Sequence, residues 1–312
     1  MSADKDDKKK EGMLKGFARK TFNGLRRMSI RLRQGSLDKA LVAASRRGSE
    51  VQVSFLIASG ADPAANGNQP LRFAAEYAHM GVLRQLLKNG VQAGAENGLA
   101  LHAAVEAGQR EVVKYLLQQG ADIHSKQDEA IIIAASSRNT RMIETLIDRG
   151  ANVNARKGAP LVIAAVHGNE YVVRQLIRSG ADVNASDNAA LYWACRHGQH
   201  KVAEVLIDAG ADIHDKNGIM VDVAAAFGHD KTLELLLRRG AKIEEDGGLA
   251  LRWAKEKKQL HCVQILEEYL RERSARGGPE KWDNPELHGD KKPEAQEKND
   301  IPPARKQQGP RP

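Results

Sequence analysis

The chain has 312 residues, 41% of them hydrophobic and only 4% aromatic, with a formal net charge of +8. That charge is uneven: residues 1–34 hold eleven bases and four acids, a net +7, residues 271–312 hold ten bases and eight acids, and the long stretch between is close to neutral. Binding of nucleic acid along the body of the protein is therefore not expected, because the basic charge sits on a short arm and no face interleaves bases with stacking aromatics.

In chain order, the arm comes first. Met1–Glu11 is charged and has no apolar run, so it does not read as a secretory signal, and Asp4, Asp6 and Asp7 argue against a mitochondrial presequence. No segment approaches the length of a membrane-spanning helix. From Met13 to Leu32, the residues Leu14, Phe17, Ala18, Phe22, Leu25, Met28 and Leu32 trace one helical stripe, surrounded by Lys15, Arg19, Lys20, Arg26, Arg27, Arg31 and Arg33. A basic amphipathic helix of this kind suits an anionic membrane surface or the groove of an acidic partner. The same stripe suits capping of the array that follows, and disorder is the third reading. Arg26-Arg27-Met28-Ser29 has the form of a basophilic-kinase acceptor. A phosphate on Ser29, about −1.5 to −2 in charge, would weaken attraction to anionic lipid.

From residue 35 the sequence repeats. Gly stands at 60, 90, 120, 150, 180, 210 and 240, and Ala at 44, 74, 104, 134, 164, 194, 224 and 254. Three positions before each Ala lies an aliphatic residue: Leu41, Leu71, Leu101, Ile131, Leu161, Leu191, Val221 and Leu251. A fixed period of this length is the signature of a solenoid. Within one unit, Leu191, Ala194 and Cys195 share a helical face, Gly198 interrupts, and Val202, Val205, Leu206 and Ile207 form a second helical phase closed by Gly210. The small residue at 194 and its equivalents implies two helices crossing too closely for a larger side chain. Neither helix buries its stripe alone, so neighbouring units complete the core.

These residues resemble the ankyrin-repeat family. The likeness is carried by Gly98-Leu99-Ala100-Leu101-His102-Ala103-Ala104, Gly108, Val112 to Leu117 and Gly120-Ala121-Asp122-Ile123, and again from Leu161 to Val183. It implies an all-α helix-turn-helix solenoid of eight repeats over residues 35–272, with short inter-repeat turns and flexible termini. The unit is a few residues shorter than the family's usual repeat, and the shortfall lies where the family builds its projecting hairpin. Stubby turns are expected at Gly67-Asn68, Asn97-Gly98 and Asn217-Gly218.

The family's geometry places the first helix of each unit on the concave side. It implies a non-enzymatic scaffold, monomeric and without cofactor, that binds a protein partner through that face. The residues five and six beyond each unit's leading aliphatic then face the partner. Val166, His167, Arg196, His197 and Phe227, with Tyr192 and Trp193 nearby, mix aromatic, Arg and apolar groups as interface hot spots do. Glu76, Tyr77 and Glu106 form the next candidate. The plainer reading is that Trp193 and Trp253 pack between units and that Tyr192 replaces the buried His of the family. The different-class alternative is a peripheral membrane protein in which residues 13–33 bind lipid.

Catalytic and metal readings are weak. Cys195 and Cys262 lie in different units and read as structural thiols suited to a reducing, cytoplasmic compartment. His197 and His200 lack a third ligand in phase. In the eighth unit Lys258 and Leu270 replace the two recurrent glycines, and the more polar helix reads as a terminal cap. Residues 273–312, rich in Gly, Pro, Lys, Glu and Gln, are expected to form a disordered tail.

Overall fold

In a computed structural model of the chain, the residues described are 34–275, apart from 138, 215–217 and 244–246. The basic arm with Lys15, Arg19, Lys20, Arg26, Arg27, Arg31 and Arg33, the candidate acceptor Ser29 and most of the tail lie outside them. Among the described residues there are sixteen helices and no strand. They form eight pairs: α1 Gln34–Arg47 with α2 Glu50–Ala58, α3 Ala65–Glu76 with α4 Met80–Lys88, α5 Ala95–Glu106 with α6 Arg110–Gln118, and α7 Ser125–Ser136 with α8 Thr140–Asp148. The remainder are α9 Ala155–Val166 with α10 Glu170–Arg178, α11 Ala185–Arg196 with α12 His200–Asp208, α13 Ile219–Ala226 with α14 Asp230–Arg238, and α15 Gly248–Glu256 with α16 Leu260–Ala275. Each first helix packs on the first helices of the units before and after it, and most second helices pack likewise on one another. This is the all-α solenoid of eight repeats that the period implies.

The core follows the sequence pattern unit by unit. Leu41, Leu71, Leu101, Ile131, Leu161, Leu191 and Val221 are buried on the first helices, and Leu86, Leu116, Leu146, Leu176, Leu206, Leu236 and Leu266 on the second. Each such side chain contributes about 1.5–3 kcal/mol on leaving water. All eight alanines from Ala44 to Ala254 are 0% exposed. Only a methyl group separates the packed helices there. Leu251, in the eighth unit, has no further unit beside it among the described residues and is only partly buried.

The described junctions between units are short, as expected at Gly67-Asn68 and Asn97-Gly98, while Asn217 lies outside the described residues; their form is not legible in the sequence. Asn66, Gly67 and Asn68 have φ of 52°, 68° and 58°, one turn of left-handed backbone at the start of α3. Similar triplets occur at Glu96-Asn97-Gly98, Lys126-Gln127-Asp128, Arg156-Lys157-Gly158 and Ser186-Asp187-Asn188. The left-handed region costs a residue with a Cβ roughly 1–2 kcal/mol, so a position held by Lys, Gln or Arg must be fixed by its surroundings. Backbone bonds such as Asn68 N to the Ala64 carbonyl at 3.0 Å close each turn. Bonds to the preceding unit add to this: Arg156 Nη2 donates to the Lys126 carbonyl at 2.6 Å, and Ser186 Oγ to the Lys157 carbonyl at 2.9 Å. The aspartates of the Gly-Ala-Asp segments have a local role, as where Asp212 Oδ1 accepts from His214 N at 2.8 Å.

The last helix departs from expectation at its end. The composition places the start of the tail at residue 273, whereas α16 runs to Ala275 and Arg273 Nη1 donates to the Ile243 carbonyl at 3.0 Å. That bond ties the extra turn to the seventh unit.

Two stability predictions follow from this packing. Replacing Ala194 by Leu overpacks the stack and lowers stability by about 1–3 kcal/mol, read as a shift in the urea midpoint, whereas Ala107→Leu on the exposed surface leaves it within about 0.5 kcal/mol. At the turn between paired helices, Ala78 has φ +57 where Gly198 has φ +66. Ala78→Gly therefore raises stability by about 1 kcal/mol, while Gly198→Ala, whose Cβ would come within 2.5 Å of His229 Nδ1, lowers it.

Candidate functional site

From the second unit on, the residue before each second helix is His79, Gln109, Asn139, Asn169, Gln199, His229 or Gln259. Its side chain reaches back to the preceding unit. His79 Nε2 donates to the Arg46 carbonyl at 3.0 Å, Gln109 Nε2 to the Glu76 carbonyl at 3.1 Å, and Asn169 Nδ2 to the Ser137 carbonyl at 2.9 Å. Gln199 Nε2 donates to the Val166 carbonyl at 3.2 Å and His229 Nε2 to the Arg196 carbonyl at 2.8 Å. These bonds satisfy carbonyls at the C-terminal ends of the first helices, which have no partner inside the helix. They also fix the edge of the first-helix layer, where the candidate side chains stand.

At the junction of the sixth and seventh units the candidates form one cluster. The Arg196 guanidinium lies over the Phe227 ring at 4.6 Å and 5.6 Å from the Trp193 centroid. His197 stacks on Trp193 at 5.7 Å and Tyr192 meets it edge-on at 5.6 Å. Phe227 is 47% exposed and stacks at 6.3 Å on His229, itself held by its bond to Arg196. A cation over an aromatic face contributes about 0.5–1 kcal/mol at an exposed site, which biases both side chains toward this arrangement before any ligand arrives.

The second candidate is built the same way. Arg46 lies 5.9 Å from the Tyr77 ring and 5.5 Å from Phe73, and Tyr77, 42% exposed, stacks on His79 at 6.1 Å. Glu76 is paired with Arg72 at 2.8 Å and is thereby neutralised. Glu106 is exposed at the end of α5, apart from this group. Val166 is half-buried, and the exposed His167 turns its Nδ1 to the Ile163 carbonyl at 2.9 Å. Val166 thus joins the first cluster only through the Gln199 bond to its carbonyl. Trp193 joins the cluster as expected, and His229 contributes as well although its sequence position did not single it out. The signal available was the recurrence of an amide or imidazole at 79 and every thirty residues after it.

Among the described residues Ser45 Oγ, Gln85 Oε1 and Thr232 Oγ1 are buried without a hydrogen-bond partner. Burial pushes the Cys195 thiol up to about 12, and burial with the bond from Cys262 Sγ to Asp230 Oδ1 at 3.1 Å does the same for Cys262. Neither is poised as a nucleophile at neutral pH. Among the described residues no group of three or more His, Cys, Asp or Glu is arranged to hold a metal ion, and no helix is long and apolar enough to cross a membrane.

His102 is buried with its Nε2 3.1 Å from Ser125 Oγ. Burial, with Lys126 and Arg156 nearby, holds its pKa below the usual 6.5. The unfolded chain therefore takes up the proton first, and stability is lost as pH falls from about 6.5 toward the depressed folded value. Urea unfolding at a series of pH values should show that loss, and His102→Gln should flatten this part of the profile.

The family model described as ankyrin repeats matches the sequence three times, over residues 40–127, 101–187 and 131–217. Together these matches span more than half of the chain, and helix pairs of the same kind continue beyond them to Ala275. No curated protein matches the chain. The period, the paired helices and this match agree: the chain belongs to the ankyrin-repeat family.

Proposed function

We propose that the protein is a scaffold that recognises a protein partner through the edge of its first-helix layer, centred on Arg196 and Phe227. Ankyrin repeats are in general modules of protein–protein interaction. The observation that supports this edge is Phe227, a large apolar ring 47% exposed yet held between Arg196 and His229. An exposed aromatic already packed against two neighbours loses less conformational freedom on binding than a free one, and Trp, Tyr and Arg dominate interface hot spots. His197, Tyr192 and Trp193 extend the patch, while His167, Val166, Glu106, Tyr77 and Glu76 continue along the same edge toward the first unit. The rival reading, in which residues 1–34 bind anionic lipid, rests on their net +7 and makes the array a passenger.

An affinity capture from the native cell separates the two. The baits are the full chain, residues 34–275, and the full chain with Arg196→Glu and Phe227→Ala, each checked for helicity by circular dichroism. A partner kept by residues 34–275 and lost by the double variant is the expected result. A partner or membrane fraction lost with residues 1–33 and indifferent to the two substitutions would move the function to the arm.

A further inference from the structure

The two clusters are copies of one arrangement. Arg46 and Arg196, Tyr77 and Phe227, and His79 and His229 are each 150 residues apart, five units of the array. In both, an Arg closing a first helix lies over the aromatic ring of the following unit, at 5.9 Å for Tyr77 and 4.6 Å for Phe227. In both, that ring stacks on a His, at 6.1 Å and 6.3 Å, whose Nε2 donates back to the carbonyl of the same Arg, at 3.0 Å and 2.8 Å. The combination does not recur at the junctions between, where the Arg position carries Glu76, Glu106, Ser136 or Val166.

These two arginines lack the ion pairs that hold six of the other described arginines. Arg72, Arg110, Arg156, Arg174, Arg239 and Arg252 are each paired with a glutamate or aspartate. Among the described residues no carboxylate pairs with Arg46 or Arg196. A guanidinium held over a ring keeps its in-plane N–H groups for an acceptor, and its planar fork fits a carboxylate in bidentate fashion. Between the two points, the fourth and fifth units present Ile133, Ser136, Ser137, Ile163, Val166 and His167, with no formal charge among them except on a protonated imidazole. Five steps of packed helices, about 8–10 Å each, set the clamps about 40–50 Å apart.

We infer that the two Arg–aromatic–His clamps bind one polypeptide at two points, each clamp taking a cluster of Asp or Glu side chains, with a neutral segment lying between. The occupant is an acidic protein segment because two unpaired guanidinium groups flank a stretch whose named residues in the fourth and fifth units carry no formal charge. It is acidic at its ends and not throughout, because Glu106 lies between the clamps. This deepens the proposed use of the first-helix edge and rests on it. Two weak sites joined by a connector of matching length bind more tightly than either by an effective-concentration effect, with gains of 10²–10⁴ possible in general.

The probe is a synthetic peptide with two Glu-Glu-Glu blocks separated by about 15 Gly/Ser residues, long enough to span the clamps when extended. The control has the same charge but a two-residue spacer. Fluorescence polarisation is measured with the full chain, so the basic arm is present throughout and contributes equally to every comparison. The long probe is expected to bind at least tenfold more tightly than the short one. Arg46→Gln or Arg196→Gln alone should each bring it to the level of the short probe, while Arg174→Gln leaves it unchanged. Equal binding of the two probes, or binding indifferent to Arg46 and Arg196, would overturn the bivalent clamp. A captured native partner that depends on Arg196 and Phe227 but not on Arg46 would leave the proposed function standing and remove only this inference.

Discussion

The close approach of helices at one alanine per unit is the constraint on which the rest depends. The eight alanines from Ala44 to Ala254 are fully buried, and their methyl groups set the spacing at which one first helix meets the next. With that spacing fixed, Leu at the neighbouring core positions fills the space between units, and the ends of the first helices come into line. The surface clusters are a consequence. Arg196 reaches Phe227 only because successive units stack without a change of register, and His229 reaches the Arg196 carbonyl for the same reason. Stability in such an array is close to a sum of unit terms and nearest-neighbour terms, and the side-chain bonds from 79, 109, 139, 169, 199 and 229 belong to the second kind.

The short junctions act in the opposite sense. Five left-handed triplets, most of them not glycine, place backbone in a region that L-residues avoid. The thirty-residue unit leaves no chain for the longer projecting hairpin, so the strand of connections must turn tightly. Clasps between units offset part of the cost: Asn154 Nδ2 donates to the Gly180 carbonyl at 2.9 Å while its Oδ1 accepts from Asp182 N at 2.8 Å. Asn184 repeats the pattern on Gly210 and Asp212 at 3.3 and 3.1 Å. A surface without fingers leaves the first-helix edge as the feature that distinguishes one unit from another.

Much of this was legible in the sequence because packing imposes a period. Leu191, Ala194 and Gly210 recur because their positions are geometrically the same in every unit, and the helix pairs follow from them. The left-handed triplets were not legible, since Arg156, Lys157 and Lys126 have no preference for that backbone; tertiary bonds impose it. The candidate surface was half legible. Position five and six beyond the leading aliphatic pointed to Arg196, His197, Tyr77 and Phe227, but the amide or imidazole that recurs at 79 and every thirty residues after it does not by itself show what it bonds to. His229 carries its role through a bond to the preceding unit, and Arg46 through a ring in the following one. Both become visible only when positions 150 residues apart are compared.

The central claim is that a partner docks on the first-helix edge and not on the backs of the second helices. Hydroxyl-radical footprinting of the full chain, with and without its captured partner, tests that directly. Tyr77, Phe227 and Tyr171 are comparably exposed in the free protein, at 42%, 47% and 44%, and Tyr171 stands on the second helix α10. The account predicts that the partner protects Tyr77 and Phe227 from oxidation and leaves Tyr171 as reactive as before. Protection of Tyr171 with Tyr77 and Phe227 unchanged would contradict it and place the working surface on the opposite face.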